Sequence, residues 1–165
     1  MHTPNLHTVA SLIQKGTKIL HEYNIDSAAL DSKILLSYVT SYSTEKLLME
    51  RNSSISSEIV KKFFKLIQRR KKNEPIAHLI KEKEFYSINF IIDKNVLIPR
   101  PDSETLIDLA LSHIKSKKIN EKISILDLGT GSGCLLLTLL NNSPNTTGIG
   151  IDISQKAITI AKKNA

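Results

Sequence analysis

Apolar residues recur at helical spacing through the first half of the chain. From residue 6 to residue 72 they return every three or four positions, which is the pattern of amphipathic helices. Ser27, Ser43 and Ser56 each precede such a stretch, and serine is a favoured helix N-cap. We therefore predict four or five short helices around one shared core, with apolar positions that include Leu6, Val9, Leu12, Ile13, Ile19, Ile34, Leu35, Val39, Ile59, Val60, Phe63, Phe64, Leu66 and Ile67.

The pattern changes after Pro75. Residues 84–92 read Glu-Phe-Tyr-Ser-Ile-Asn-Phe-Ile-Ile, an alternation that predicts a short β-hairpin with its turn around residues 87–89. Pro99 and Pro101 disfavour helix in the residues before them, so an extended segment follows. Asp102 is then expected to cap a helix whose buried stripe is Leu106, Ile107, Ala110, Leu111 and Ile114.

The last third predicts alternating strands and helices. The expected order is a strand at 123–127, a glycine loop, a helix from about Ser132 to Asn141, a strand at 147–152 and a helix from about Ser154. A helix that crosses over between two strands is typical of the opening of a parallel α/β sheet. The chain as a whole is therefore predicted to be α/β, with a helical bundle first and a Rossmann-like sheet afterwards.

The glycine loop is the strongest candidate for a binding site. Gly129, Gly131 and Gly133 occupy alternate positions between the strand and the helix, where a backbone without Cβ atoms and the free N–H groups of a helix start can approach a ligand closely. A nicotinamide-type fingerprint requires glycine or alanine three positions after Gly131, where Cys134 stands. The predicted cofactor-binding residues are Gly129, Thr130, Gly131, Ser132, Gly133 and Asp152.

Two carboxylates flank this loop. Asp152 ends the next strand, where a carboxylate can accept hydrogen bonds from both ribose hydroxyls of a bound nucleoside. Capping of the helix near Ser154 is the alternative role of Asp152, and it is compatible with binding. Asp127 precedes the loop, and both structural support of the loop and direct contact with a ligand remain open for it.

Composition narrows the remaining classes of site and partner. Cys134 is the only cysteine, which excludes an intrachain disulfide and a Cys-rich zinc site. The five histidines lack metal-ligand spacing, so no metal is predicted. No apolar run approaches the roughly 18 residues of a membrane span, and we expect a cytoplasmic protein. The net charge of +7 suits an anionic partner, but the lysines are dispersed, and the dense run at 69–72 is expected to be a solvated helix end rather than a nucleic-acid site.

Three segments resemble one known family, the release factor glutamine methyltransferases, often labelled HemK or PrmC. The first is Arg-Arg-x-x-x-Glu-Pro-Ile-Ala-His-Leu at 69–79, followed by Glu84-Phe85. The second, Leu-Ile-Pro-Arg-Pro-Asp-Ser-Glu-Thr-Leu at 97–106, is the most specific, and the third is the loop at 125–133. Lys81 departs from the family, which usually has glycine there.

The resemblance implies a class I methyltransferase that uses S-adenosylmethionine. Its substrate would be the Gly-Gly-Gln glutamine of class 1 peptide chain release factors, held by the helical domain. The implied domains are 1–74 (helical), 75–98 (hairpin linker) and 99–165 (start of an incomplete methyltransferase domain). The family's catalytic Asn-Pro-Pro-Tyr motif is absent, so we expect no catalytic residue here and no activity from this chain alone. A nucleic-acid methyltransferase and a non-catalytic release-factor-binding module remain alternatives.

Overall fold

The computed structural model describes residues 7–117 and 122–165, and Leu6 of the predicted helical pattern lies outside them. The chain divides into two compact units, Met1–Ile80 and Lys81–Ala165. The first unit is helical and the second combines helices with strands. The predicted α/β class, with a helical part followed by the start of a methyltransferase fold, is confirmed.

Within residues 7–80, five helices build the first unit. They are α1 (Val9–Glu22), α2 (Ala28–Thr40), α3 (Thr44–Met49), α4 (Ser57–Arg70) and α5 (Ile76–Ile80). Burial of apolar side chains drives their association, and the fully or almost fully buried core consists of Val9, Leu12, Leu20, Ile25, Ala28, Leu35, Leu36, Leu47, Val60, Phe63, Leu66, Ile67 and Leu79.

The serine caps are confirmed at two of three positions. Ser43 Oγ and Ser56 Oγ each accept a hydrogen bond from the backbone N–H three residues later, which satisfies an otherwise unpaired amide at the helix start. The prediction for Ser27 is wrong in mechanism. Its hydroxyl donates to Asp31 Oδ2 at 2.9 Å and caps no backbone amide.

The basic run at 69–72 is tied into the fold. Arg70 Nε donates to Asp31 Oδ2 at 2.6 Å, and these side chains are only 16% and 6% exposed. Arg69 pairs with Glu74 through two guanidinium nitrogens, and the Lys71 ammonium lies 4.6 Å from the centre of the Tyr23 ring. The expectation of a solvated face is wrong for Arg70. Its guanidinium is buried beside Asp31, whose carboxylate would otherwise be buried without an opposite charge.

The second unit opens with the predicted hairpin. Strands β1 (Glu82–Phe85) and β2 (Ile88–Ile91) pair antiparallel. Their turn consists of Tyr86 and Ser87, with φ angles of 51° and 59°, so it begins one residue earlier than predicted. Lys81 has a φ of 62°. The backbone therefore adopts the left-handed conformation that glycine favours, although a lysine occupies the position.

The start of the next helix differs from the prediction. A short 3₁₀ helix, Pro101–Ser103, precedes α6 (Glu104–Lys115). The predicted Asp102 cap is wrong, because Asp102 lies inside that 3₁₀ turn and Ser103 is the N-cap residue, without a side-chain hydrogen bond. Proline fixes its own backbone in a helix-compatible conformation and so starts the turn early.

The predicted buried stripe of α6 is too wide. Ile107 and Leu111 are buried, whereas Leu106 is 55% exposed. Ile107 and Leu111 lie about one turn apart on the same side of α6, whereas Leu106 lies about 100° around the helix from Ile107, on the exposed side. Its place in the predicted stripe is wrong.

The remaining elements form one β-α-β-α unit. They are β3 (Ile123–Leu128), α7 (Cys134–Asn141), β4 (Thr146–Ile151) and α8 (Gln155–Asn164). Strands β3 and β4 pair in parallel, from Ile123 opposite Thr146 to Leu128 opposite Ile151, which confirms the predicted crossover. Helix α7 begins two residues later than predicted because the loop before it contains left-handed glycines.

The two faces of this parallel pair differ in burial. On the face towards α7, a Cβ atom at Gly148 would lie 2.5 Å from Leu136 Cδ1, so the helix sits directly on the glycine. The other face is exposed and apolar. Its branched side chains are Leu126, Leu128, Ile149 and Ile151.

Candidate functional site

The glycine loop adopts a conformation that ordinary residues resist. Gly129, Gly131 and Gly133 have φ angles of 76°, 56° and 80°, and each side chain placed in this left-handed region costs about 1–2 kcal/mol. A Cβ atom at Gly129 would meet nothing within 4 Å, and one at Gly131 would meet only the Gly129 carbonyl oxygen, at 3.9 Å. The space beside these two glycines is open to a ligand.

Asp127 holds the loop through Thr130. The Thr130 hydroxyl donates to Asp127 Oδ2 at 2.7 Å, and Thr130 is buried. A Cβ atom at Gly150 would lie 2.8 Å from Thr130 Oγ1, so strand β4 accommodates the threonine only because glycine occupies that position. Asp127 therefore supports the loop, and its direct contact with a ligand stays a prediction.

Asp152 bridges the loop and the start of α8. Its Oδ2 accepts a hydrogen bond from the Gly131 N–H at 2.9 Å, and its Oδ1 accepts one from the Ser154 N–H at 2.8 Å. The bonds from Ser154 and Gly131, in that order of size, lower the pKa of the Asp152 carboxyl below its usual value. The group is therefore a carboxylate at neutral pH, and each oxygen keeps a lone pair for a further donor.

Backbone hydrogen bonds fix the rest of the loop. The N–H groups of Gly129 and Thr130 both donate to the Ile151 carbonyl, at 2.8 and 3.0 Å, and the Gly133 N–H donates to the Thr130 carbonyl at 2.8 Å. Gly133 is the N-cap residue of α7 and offers no side-chain cap. The first amides of α7 therefore face the loop with their partial positive charge, an arrangement that suits an anionic group.

Ser132 and Cys134 provide no reactive group at this loop. The predicted site residue Ser132 is 2% exposed, so its contribution to a ligand is confined to backbone. Burial raises the pKa of the Cys134 thiol above its usual value, which keeps it protonated and unreactive at neutral pH. A structural role fits both side chains.

Sequence reasoning missed Asn164, the last residue of α8. Its side-chain amide contacts the Ser132 carbonyl in the loop and the backbone of Ile91 in strand β2. An asparagine at a helix end normally indicates a cap, so no local signal marks this role. Gly150 was missed for the same reason, because its function depends on Thr130 across the sheet.

Two further properties bear on the class of protein. Within residues 7–117 and 122–165, no three His, Cys, Asp or Glu side chains come together as a metal site. None of the helices in these same ranges combines the length and apolar character needed to cross a membrane.

Two protein families match the chain in succession. The PrmC N-terminal domain matches residues 11–80, and a methyltransferase domain matches residues 119–165. The chain thus combines a PrmC-type N-terminal domain with a methyltransferase domain. A methyltransferase domain works with a methyl-donor cofactor, and the matched portion of this chain contains the glycine loop and Asp152.

Several curated proteins match most of this chain in sequence. The release factor glutamine methyltransferase of Buchnera aphidicola is 42% identical over 86% of this chain and 50% of its own length. That of Aliivibrio fischeri is 34% identical over 96% of this chain and 54% of its own length. A bifunctional methyltransferase of Rickettsia prowazekii is 37% identical over 96% of this chain and 34% of its own length. The chain thus spans between about a third and a half of these relatives.

Proposed function

We propose that this chain holds S-adenosylmethionine on its glycine loop and forms the cofactor-binding part of an enzyme that methylates a glutamine of peptide chain release factors. The observation that carries the proposal is the convergence of the open loop, the Asp152 carboxylate and the uncapped start of α7. The names of the related proteins support the substrate.

The residues present fit the parts of this cofactor. The Asp152 carboxylate has free lone pairs for the two ribose hydroxyls, and the first amides of α7 suit the carboxylate of the methionine part. The open space beside Gly129 and Gly131 can hold the part of the cofactor that links its ribose to its methionine carboxylate. When bound, the cofactor supplies an activated methyl group on a sulfonium centre.

This chain's own contribution is to bind and orient. Transfer of a methyl group to an amide nitrogen depends mainly on alignment of the reacting atoms. The rigid loop, fixed by Thr130, Asp127 and the Ile151 carbonyl, supplies alignment on the donor side. We assign cofactor binding to the glycine-loop part of this chain, and contact with the release factor to its helical unit.

Isothermal titration calorimetry tests the cofactor site. The wild-type chain, Asp152→Asn and the control Asp26→Asn, an exposed aspartate of the helical unit, are titrated with S-adenosylhomocysteine and with its 2′,3′-dideoxy analogue. Two hydrogen bonds to a charged acceptor predict at least a roughly tenfold preference of wild type and Asp26→Asn for the ribose diol. Asp152→Asn should lose that preference.

Three outcomes would contradict the proposal in different places. No binding of S-adenosylhomocysteine by the wild-type chain would remove the cofactor assignment. Equal preference for the diol in Asp152→Asn and wild type would remove Asp152 from ribose recognition. Absence of binding between this chain and a class 1 release factor would remove the contact assigned to the helical unit.

A further inference from the structure

The side chain of Asn164 joins two parts of the second unit that are far apart in sequence. Its Oδ1 accepts a hydrogen bond from the Ile91 N–H at 2.8 Å. Its Nδ2 donates to the Ile91 carbonyl at 3.1 Å and to the Ser132 carbonyl at 2.8 Å. One amide group thus contacts both the hairpin and the glycine loop.

These three bonds fix the orientation of the amide. The nitrogen faces two carbonyl oxygens and the oxygen faces one N–H, so both amide hydrogens and the acceptor are used. The opposite orientation would place the oxygen against two carbonyls. Aspartate has the same shape but no hydrogen for either carbonyl, and leucine has neither a donor nor an acceptor.

On the hairpin side, Asn164 takes the place of a neighbouring strand. Ile91 lies opposite Glu82 in β1, and its N–H and carbonyl are both bonded to Asn164. In an antiparallel pair, alternate residues direct these two groups away from the partner strand. The Asn164 amide therefore pairs the outer edge of β2, which would otherwise need water or another strand.

On the loop side, Asn164 holds the Ser132–Gly133 peptide unit in one orientation. The Ser132 carbonyl accepts from Asn164, and the N–H of the same peptide unit, on Gly133, donates to the Thr130 carbonyl at 2.8 Å. Both polar groups of that planar unit are held. This plane sets the conformation of Gly133, the N-cap residue of α7, and therefore the direction of the amides that begin the helix.

We propose that Asn164 is a positioning residue for the methyl-donor site: it locks the Ser132–Gly133 peptide plane and anchors it to strand β2. The role rests on the proposed function for its effect on cofactor affinity, but the hydrogen bonds themselves can be tested without cofactor. Asn164 acts through Ser132, and nothing in the arrangement requires it to touch the cofactor.

Amide hydrogen exchange followed by NMR separates the two contacts. In Asn164→Asp the carboxylate still accepts from the Ile91 N–H, so Ile91 should keep its protection while the Gly133 amide exchanges at least about tenfold faster. In Asn164→Leu both amides should exchange faster. Asn142→Asp is the matched control, because Asn142 Nδ2 donates to the Thr138 carbonyl, at 2.8 Å, and both amides should keep wild-type rates.

Calorimetry with S-adenosylmethionine completes the test. Both Asn164 variants should bind at least about tenfold more weakly than wild type and Asn142→Asp.

Wild-type protection of Gly133 in both Asn164 variants would overturn the proposal and leave Asn164 as a hairpin anchor only. Absence of binding in the wild-type chain would refute the proposed function instead, and the exchange rates would still decide the role of Asn164. If Asn164→Asp does not fold, the uncharged Asn164→Leu decides the loop contact.

Discussion

The Asp152 carboxylate accepts a hydrogen bond from the Gly131 N–H at 2.9 Å. One side chain that follows β4 therefore helps to fix the conformation of the loop that follows β3. A second bond, from Ser154, lowers the pKa of the Asp152 carboxyl further, and it is the larger of the two causes. The charged form is therefore part of the folded loop, and its protonation should be visible as a local change.

Acidification should loosen this loop. The pKa of Asp152 in the folded protein lies below its unfolded value of about 3.9, so its contribution to stability is present above that pH and is lost as the pH falls through the folded value. An NMR titration should show the Gly131 and Ser154 amide shifts moving together in that acid range. In Asp152→Asn the shared transition should disappear, and its persistence there would assign it to another carboxyl group.

The buried pair between Arg70 and Asp31 should dominate the electrostatic stability of the helical unit. Asp31→Ala leaves a largely buried guanidinium without its partner, which costs roughly 3–5 kcal/mol in free energy of unfolding. The control is Lys62→Ala, which removes an exposed pair with Glu58 and should cost less than about 1 kcal/mol. Urea unfolding followed by circular dichroism measures both free energies of unfolding. Equal losses in the two variants would show that the buried Arg70–Asp31 pair contributes no more stability than the exposed Lys62–Glu58 pair.

Gly150→Ala should disturb the cofactor loop from the neighbouring strand. The new methyl group would lie 2.8 Å from Thr130 Oγ1, so the atoms around it must shift, and the Thr130–Asp127 hydrogen bond should weaken. Affinity for S-adenosylmethionine should fall at least about tenfold, the equivalent of roughly 1.4 kcal/mol. Thr130→Val, which keeps the shape but lacks the hydroxyl, should reproduce much of the loss. Unchanged affinity in both variants would separate this contact from binding.

Lys81→Gly should stabilise the second unit. Lys81 is held at a φ of 62°, and relief of the left-handed strain is worth about 1–2 kcal/mol, less the roughly 0.5–1 kcal/mol entropy cost of glycine. The net gain, up to about 1.5 kcal/mol in free energy of unfolding, should appear as a higher thermal midpoint. Lys83→Gly, inside strand β1, is the control and should lower the midpoint. A loss of stability in Lys81→Gly would mean that the lysine side chain makes a compensating contact.

Local patterns predicted most of the elements correctly. The alternation at 84–92, the glycines at 129–133 and the caps at Ser43 and Ser56 each depend on residues close in sequence, so propensity and spacing were sufficient. Asp102 shows where this reasoning failed. Aspartate is a favoured N-cap residue, but the 3₁₀ turn already starts at Pro101. The sequence alone could not decide which of these two local preferences would prevail.

The contacts that support the candidate site could not be predicted from local sequence patterns. The contacts of Thr130 with Gly150 and of Asn164 with Ile91 depend on how distant segments pack. A glycine in a strand and an asparagine at a helix end each have several ordinary explanations. Only the assembled structure distinguishes among these explanations, which is why the loop residues were predicted and their supports were not.

The sequence separation of these contacts also bears on the order of folding. The Gly131–Asp152 bond spans 21 residues, whereas the Asn164–Ile91 bonds span 73. Closing a longer loop costs more chain entropy, and contacts close in sequence form faster. The β-α-β unit should therefore assemble first with a loosely held Ser132–Gly133 peptide, and docking of the hairpin on Asn164 should be the late step that gives the loop its final shape.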